Sequence, residues 1–528
     1  MIVDARELAD GTELRADVCI VGSGPAGVTL ALELQGSGLD VLVLEAGGLE
    51  FEQESQDLYE VDMTGELFGA EGSPVPVSAT RLRYLGGTSG HWAGYCRPLR
   101  PVDLEPRPEH GRPGWPIEFD EIDRHYPRAL EILELGPNRF DHAFWDDHAD
   151  IGPTVVNDDA VETVVYQVSP TQFGTRYRDE LDAAGDIRVV LHANVTGIVP
   201  AESGRTVERL DVATRTGRRH TAVARRYVVA TGGIETARLL LVSAPERGGV
   251  GNDHDLVGRG FCEHGQNTLG IATFSPTVDD LRAYRRADVP GPDGSGRDGT
   301  ISVQGALLLG DEALRREGLL GIEAQFLALS LDEAPPGAVS GPTLADAGDL
   351  LRSFDRGGPG AMAGFSVTAE QAPNPSSRIT LTDEVDALGL PRAALNWVVS
   401  DDDRRSIVRG LEIMGARLGA AGAGRLQVTA GSLQPSGEGG LLGRFEVDPS
   451  KADPTGFHLA HANHHCCTVP MSADPSSGVC DPDLKVWGFE DLHVAGSGAF
   501  TSAGVTSPTI SIVALSVRLA AHLREALA

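Results

Sequence analysis

The chain has 528 residues and a net charge of −32, from 76 acidic against 44 basic side chains. That length can bury large cores and form two or more lobes, while the negative balance argues against a nucleic-acid binder, which needs a positive field to neutralise phosphates. Six scattered cysteines without a C-x-x-C pair argue against a disulfide framework and a zinc ribbon.

The start, MIVDARELADGTELRAD, lacks the basic and apolar regions of a secretory signal. No apolar run of about 18 residues is present to span a membrane, so a soluble cytoplasmic protein is expected. Residues from Asp17 to Val21 then read as a short buried strand. Gly22, Gly24 and Gly27 follow in G-x-G-x-x-G spacing, with Ser23 inside the turn. A helix pattern runs through Val28, Leu30, Ala31 and Leu34, and a second apolar strand from Val41 to Leu44 leads into Glu45 and Ala46. Gly22 permits the tight turn, Gly24 admits a pyrophosphate to the backbone, and Gly27 lets helix and strand pack closely. The phosphates would meet the free N–H groups at the helix N-terminus. Glu45 is placed to accept hydrogen bonds from ribose hydroxyls. Strand, glycines, helix, strand and acid in this order point to a dinucleotide, FAD or NAD.

Beyond Glu45 the chain is polar through Glu71 and reads as an excursion over the cofactor. A glycine-rich block, Gly86 to Gly94, comes next. EFDEIDRHYPRALEILEL carries apolar residues at helical spacing through Ile122, Tyr126, Leu130 and Ile132. IRVVLHANVTGIV and VERLDVAT read as strands, and a buried strand from Tyr227 to Ala230 precedes a helix from Ile234 to Ser243. From about 264 to 450, TISVQGALLLG, GIEAQFLALS, FSVTAEQAP, SRITLTD and RAALNWVV suggest an antiparallel sheet. A Gly/Pro-rich stretch from Asp332 to Gly364 reads as a long loop with the character of a lid. Asp401, Asp402 and Asp403 read as a solvated helix start. LHVAGSG and a helix from about Thr509 to Leu527 close the chain.

Four blocks together resemble the glucose–methanol–choline (GMC) oxidoreductases, in particular the pyranose oxidase and fructose dehydrogenase branch. They are VCIVGSGPAG…VLVLEAGG, YLGGTSGHWAGYCRP, YVVATGGIETARLLL, and HHCCTVPMSADPSSGVCDPDLKVWGFEDLHVAGSGAF…SPT. LVGRGFCEHG and EQAPNPSSRITLTDEVDALGLPRAAL support them. The resemblance implies FAD rather than NAD and an α/β (α+β overall) fold. A Rossmann-like FAD-binding domain would be assembled from 1–52, 185–263 and 451–528. Residues 53–184 would form a flavin-covering segment with a helical excursion, and 264–450 a substrate-binding domain with a largely antiparallel sheet.

The resemblance also implies roles for residues. Gly87, Thr88, His91 and Trp92 fall in a loop that passes beneath the flavin. In pyranose oxidases the histidine of a similar motif is bonded covalently to the flavin, so His91 is expected either to carry that bond or to pack beside a noncovalent flavin. Val195 matches a position whose backbone contacts adenine, and Gly496 and Ser497 match a segment near the FAD phosphates and ribityl chain. The family pattern H-x-x-G-T puts His464 on the catalytic histidine, with Cys467 where glycine is usual and His465 as a supporting or core residue. An imidazole titrating near neutrality suits the removal of an alcohol proton as hydride leaves. Where the family has Asn or His before Pro-Thr, this chain has Ser507, which can hydrogen-bond but cannot act as a base. Pro508 and Thr509 start the last helix, whose N-terminus favours negative charge. Gln371 is a candidate for substrate contact.

The function so implied is FAD-dependent oxidation of an alcohol on a sugar-like substrate. The acidic balance favours cationic small molecules by long-range attraction, and the chain looks similar to oxidases of an aminoglycoside 6′-hydroxyl. A neutral sugar or glycoside is the alternative. A non-redox FAD-containing lyase is the reading from another class.

Overall fold

Two sheets organise the chain. The computed structural model describes residues 1–65, 69–70, 73–327, 361–428, 433–436, 444–447 and 460–528. In the first sheet the strand Glu13–Val21 is central, parallel to Val41–Leu44 on one side and to Arg219–Val229 on the other. Ile187–Leu191 and Ile2–Asp4 extend it in parallel past Val41–Leu44. Leu492–Val494 joins Arg219–Val229 alongside Tyr227, Val228 and Val229. Val207–Ala213 and Asn194–Pro200 complete the other edge as antiparallel strands. Val18, Cys19, Ile20 and Val21 are all buried, as expected of a parallel strand covered on both faces. The helix Pro25–Leu34 packs against the C-terminal helix Thr509–Leu527, so the two ends of the chain share one core.

The second sheet runs Gly424–Val428, Gly265–Phe274, Met362–Ala369, Ile322–Leu327, Thr300–Leu309, Val161–Val168 and Tyr95–Cys96. Each of these pairings is antiparallel. Successive side chains of a strand point to opposite faces, and here the two faces have different work. Ile322, Ala324 and Phe326, with Phe365, Val367 and Ala369, join a core that includes Ile407, Leu411 and Met414 of the helix Asp401–Ala420. Their neighbours Glu323, Gln325, Ser366 and Thr368 face a large cavity. A third, small sheet joins Arg378–Val385, Pro391–Trp397 and Val61–Gly65.

Several local expectations change. The anticipated helix over EFDEIDRHYPRALEILEL is two helices, Phe119–Asp123 and Tyr126–Ile132. Pro127 has no N–H to continue the first and fits the opening turn of the second. The run IRVVLHANVTGIV divides at His192, whose φ of 53° ends one strand before Asn194 begins the next. The strand ending at Val229 starts at Arg219 rather than Tyr227. Asp403 is buried rather than solvated. It accepts from the Ser400 and Ala372 N–H groups at 2.7 and 2.9 Å, and Ser400 Oγ caps the helix in return. Of the stretch read as a lid, residues 332–360 lie outside the described residues, and the remainder leads into the strand Met362–Ala369. Among the described residues, no helix is long and apolar enough to cross a membrane.

Candidate active site

A cavity of about 1410 Å³ is lined at once by the glycine turn and by the antiparallel sheet. The glycines of the turn have distinct surroundings. A Cβ on Gly27 would lie 1.9 Å from the Gly22 carbonyl oxygen, and one on Gly22, at φ +99°, would lie 2.7 Å from that of Ala230. Both are packing requirements. A Cβ on Gly24 would meet no protein atom within 4 Å, because that face opens on the cavity. Gly496, at φ +111°, is equally open and also lines it. Backbone stripped of side chains at the start of the helix Pro25–Leu34 is a cradle for an anion. Glu45 accepts from Ser23 N–H at 3.0 Å, from Ser23 Oγ at 2.6 Å and from Gly47 N–H at 2.9 Å. It thereby fixes the turn, and it lines the cavity beside Ala46 and Val195. These features fit a dinucleotide.

Gly87 and Thr88 lie in the short turn Gly87–Gly90, and a Cβ on Gly87 would come within 3.2 Å of Gly24 Cα. The two glycine loops therefore abut. His91 follows the turn, with its ring on the cavity wall. Desolvation holds its pKa below the ordinary histidine value, while a hydrogen bond to the Thr80 carbonyl opposes this. Trp92 is anchored by its indole N–H, which donates to the Thr171 carbonyl at 3.0 Å. Ser497, Ser507, Pro508 and Thr509 line the same cavity, the last two at the start of the 19-residue C-terminal helix.

His464 reaches the cavity from a segment locked to Cys262. Cys262 and Cys466 exchange backbone hydrogen bonds of 3.1 and 2.9 Å, which brings Glu263 and His264 alongside His464. Glu263 is buried and accepts from the His464 N–H at 2.7 Å and the His264 N–H at 2.8 Å. Burial pushes its carboxyl up to about 8, against the backbone N–H groups of His464, His264 and Ala462 that draw it down. The rings of His264 and His464 meet edge to face, Nδ1 to Nδ1 at 2.8 Å, and His264 Nε2 lies 2.8 Å from the Gly504 carbonyl oxygen. Desolvation, then the neighbouring His264, His465 and His461, hold the His464 pKa well below the usual value. His465 is buried, its Nε2 at 3.3 Å from Thr80 Oγ1 and 3.6 Å from Glu263 Oε2. Cys467 has φ +66°, the left-handed conformation that favours glycine.

One sequence candidate is corrected. Gln371 does not line the cavity. Its Oε1 accepts from the Glu263 N–H at 3.0 Å and the Trp397 indole at 2.9 Å, and its Nε2 donates to the Val398 carbonyl at 2.7 Å. Its amide is consumed in holding Glu263, so its role is to place the residue beside His264. The cavity residues the sequence reading overlooked come from strand faces. Glu323 lines the wall with Tyr166, whose hydroxyl donates to it, and Arg97 lies 5.7 Å from the Tyr166 ring. Burial pushes the Glu323 carboxyl up to about 7. Alternation of polar with apolar residues in GIEAQFLALS was the available signal.

A parallel sheet ending in a glycine turn, joined through one cavity to an antiparallel sheet carrying polar side chains, defines a two-part flavoenzyme that holds FAD. Residues 373–516 match the family model described as GMC oxidoreductase, and residues 15–57 match that of an FAD binding domain. It is 25% identical to a C-glycoside 3-oxidase of Microbacterium trichothecenolyticum, over 97% of each chain. It is 26% identical to a 6'''-hydroxyparomomycin C oxidase of Streptomyces lividus, over 98% of this chain and 93% of that protein. Among solved structures, a formate oxidase superposes with a TM-score of 0.57 at 16% identity, covering 98% of this chain and 99% of its own, a likeness of fold.

Proposed function

We propose that the chain oxidises an alcohol of a sugar-like substrate, with His464 as the base that removes the hydroxyl proton. The observation that carries this reading is that His464, the open face of Gly24 and the polar strand face share one cavity. Bound FAD supplies the hydride acceptor. Gly22, Ser23, Gly24, Glu45, Ala46, Val195, Gly496 and Ser497 are read as its holders, with Gly87, Thr88, Trp92, Pro508 and Thr509 around the flavin. His464 takes the proton and holds it on its ring, and Ser507 orients the substrate oxygen. His91, kept neutral by its surroundings, is the residue for a covalent bond to the flavin. Acid precipitation tests that bond: colour in the pellet supports it, and colour wholly in the supernatant excludes it.

The favoured substrate is an amino sugar of the aminoglycoside type, oxidised at its 6′-hydroxyl. Three acids line the cavity among the described residues. Glu45 is engaged by Ser23 and Gly47, and Glu235 pairs with Arg81 at 3.0 Å. Glu323, which accepts from the Tyr166 hydroxyl, is the carboxyl group on the sheet side, and the net charge of −32 steers cations toward the protein. The similarity to a 6'''-hydroxyparomomycin C oxidase agrees with this. A neutral glycoside is the second reading, supported by the uncharged Gln266, Asn267, Gln325, Ser366 and Thr368 on the wall and by the C-glycoside 3-oxidase relative. The test is anaerobic addition of paromamine or glucose to the purified yellow protein. Bleaching of the visible flavin band by paromamine alone supports the first reading, and by glucose alone the second. Failure of every alcohol to bleach it overturns oxidation in favour of lyase chemistry.

A further inference from the structure

We infer that His264, which does not line the cavity, is a positioning residue that fixes the tautomer of His464 and leaves His464 Nε2 as the bare nitrogen for the substrate hydroxyl. The inference rests on the reading of His464 as the base, and it follows from two hydrogen bonds. A carbonyl oxygen can only accept, so the 2.8 Å contact from His264 Nε2 to Gly504 O puts a proton on His264 Nε2. A neutral imidazole carries one N–H, so His264 Nδ1 holds a lone pair. The 2.8 Å contact between the two Nδ1 atoms then requires the proton on His464 Nδ1. His464 Nε2, on the far edge of the ring, is unprotonated, and His464 is the member of the pair that lines the cavity.

The alternative places a second proton on His264, which would donate to His464 Nδ1 and cap Nε2 with hydrogen. Burial disfavours that charged form of His264, while the backbone of Gly504, then Glu370, the backbone of Ala503 and Asp103 oppose burial more weakly. The arrangement also survives the reaction. When His464 Nε2 gains the hydroxyl proton the ring becomes a cation with both nitrogens protonated, and its Nδ1–H still donates to His264. No hydrogen bond is broken and no second group must move. The scaffold is rigid, because Glu263 grips the backbone N–H groups of both histidines and Gln371 grips the N–H of Glu263.

The deciding measurement needs no variant of His264. Nitrogen-15 histidine labelling of the holoenzyme reports which ring nitrogen carries hydrogen, with the His464 signals assigned by their loss in His464→Gln. A protonated Nδ1 and bare Nε2 at neutral pH are expected, and the opposite tautomer overturns the inference. Stopped-flow flavin reduction by paromamine, with glucose as a second probe, gives the kinetic arm. His264→Leu removes the acceptor and should slow the limiting rate roughly tenfold or more with half-saturation unchanged. His264→Asn, whose carbonyl can accept from Nδ1, should recover most of that loss. Equal rates for the wild type and His264→Leu would sink the positioning role. A fast His464→Gln enzyme would instead sink the reading of His464 as base, leaving the tautomer result standing, so the two failures are distinguishable.

Discussion

Arg112, which holds the loop before Ser507 through Ser502, is itself held in a buried ion pair, and cutting that pair should cost stability. Arg112 Nη1 and Glu370 Oε1 approach to 2.8 Å with both side chains 1% exposed. Neither atom is in hydrogen-bond alignment, so charge rather than a directed bond holds them. The same guanidinium donates to the Asp103 carbonyl at 2.5 Å and to Ser502 Oγ at 2.9 Å, while Glu370 Oε2 accepts from the Gly321 N–H at 2.9 Å. Arg112→Met would leave the Glu370 charge buried without its partner, at a cost of about 3–5 kcal/mol. Unfolding entropy of about 2.1 cal/mol/K per residue over 528 residues is about 1.1 kcal/mol/K, so Tm should fall by about 3–5 °C. The double variant Arg112→Met/Glu370→Leu removes both charges and should recover most of that fall, because paired removal is close to neutral. Differential scanning calorimetry on the holoenzyme reads both. An Arg112→Met shift under about 1 °C, or a double variant no better than the single, would refute the assignment of the cost to an orphaned charge.

Other consequences are testable alongside. Because His464 is held well below its ordinary pKa by burial and by His264, His465 and His461, its base form persists as pH falls; flavin reduction should stay level as pH falls through about 6.5 and decline only well to the acid side of that value. A decline centred at or above that value would contradict the cited cause. Gly24→Val should fold, since a Cβ there meets nothing within 4 Å, yet purify with little flavin absorbance. Gly27→Ala, with its Cβ 1.9 Å from a carbonyl oxygen, should lose Tm or solubility; the reverse pattern would break the reading of the turn. Glu323→Gln keeps an acceptor for Tyr166 while removing the charge, and should raise half-saturation by an amino sugar about tenfold with little change for a neutral one. An equal effect on both would remove Glu323 as a charge-selective contact.

What could be read from the chain depended on sequence distance. The turn from Gly22 to Gly27 is local: three glycines, the buried strand before them and the acid after them lie within one supersecondary unit, so pattern and structure coincide. Cys467 is intermediate. Its place where glycine is usual was visible in the sequence, and its φ of +66° supplies the reason for the glycine. The contact of His264 with His464 joins positions 200 residues apart, through a bridge between Cys262 and Cys466 that has no periodic signature. Gln371 lies off the cavity wall for a related reason. A polar residue at a strand end can face a ligand or satisfy buried groups, and here Glu263, Trp397, Val398 and Asp403 engage its amide. Asp403 likewise turned inward, where it accepts from the Ala372 and Ser400 N–H groups.

The antiparallel sheet separates two demands that usually conflict. On Ile322–Leu327, the residues that fill the core and those that face the cavity alternate, so the strand is anchored by Ile322, Ala324 and Phe326 whatever stands at Glu323 and Gln325. Met362–Ala369 repeats the arrangement with Phe365 and Val367 against Ser366 and Thr368. Exchanging cavity-facing residues alters charge and hydrogen bonding toward a substrate without changing core volume, the variable that makes buried substitutions costly. The histidine pair has no such freedom. His464 is positioned through its own backbone N–H, through Glu263 and through His264, each of which is itself held. On the proposed reading, chemistry is built into the contact between the segments around Cys262 and Cys466, and selectivity into one face of a sheet whose core residues lie on the other.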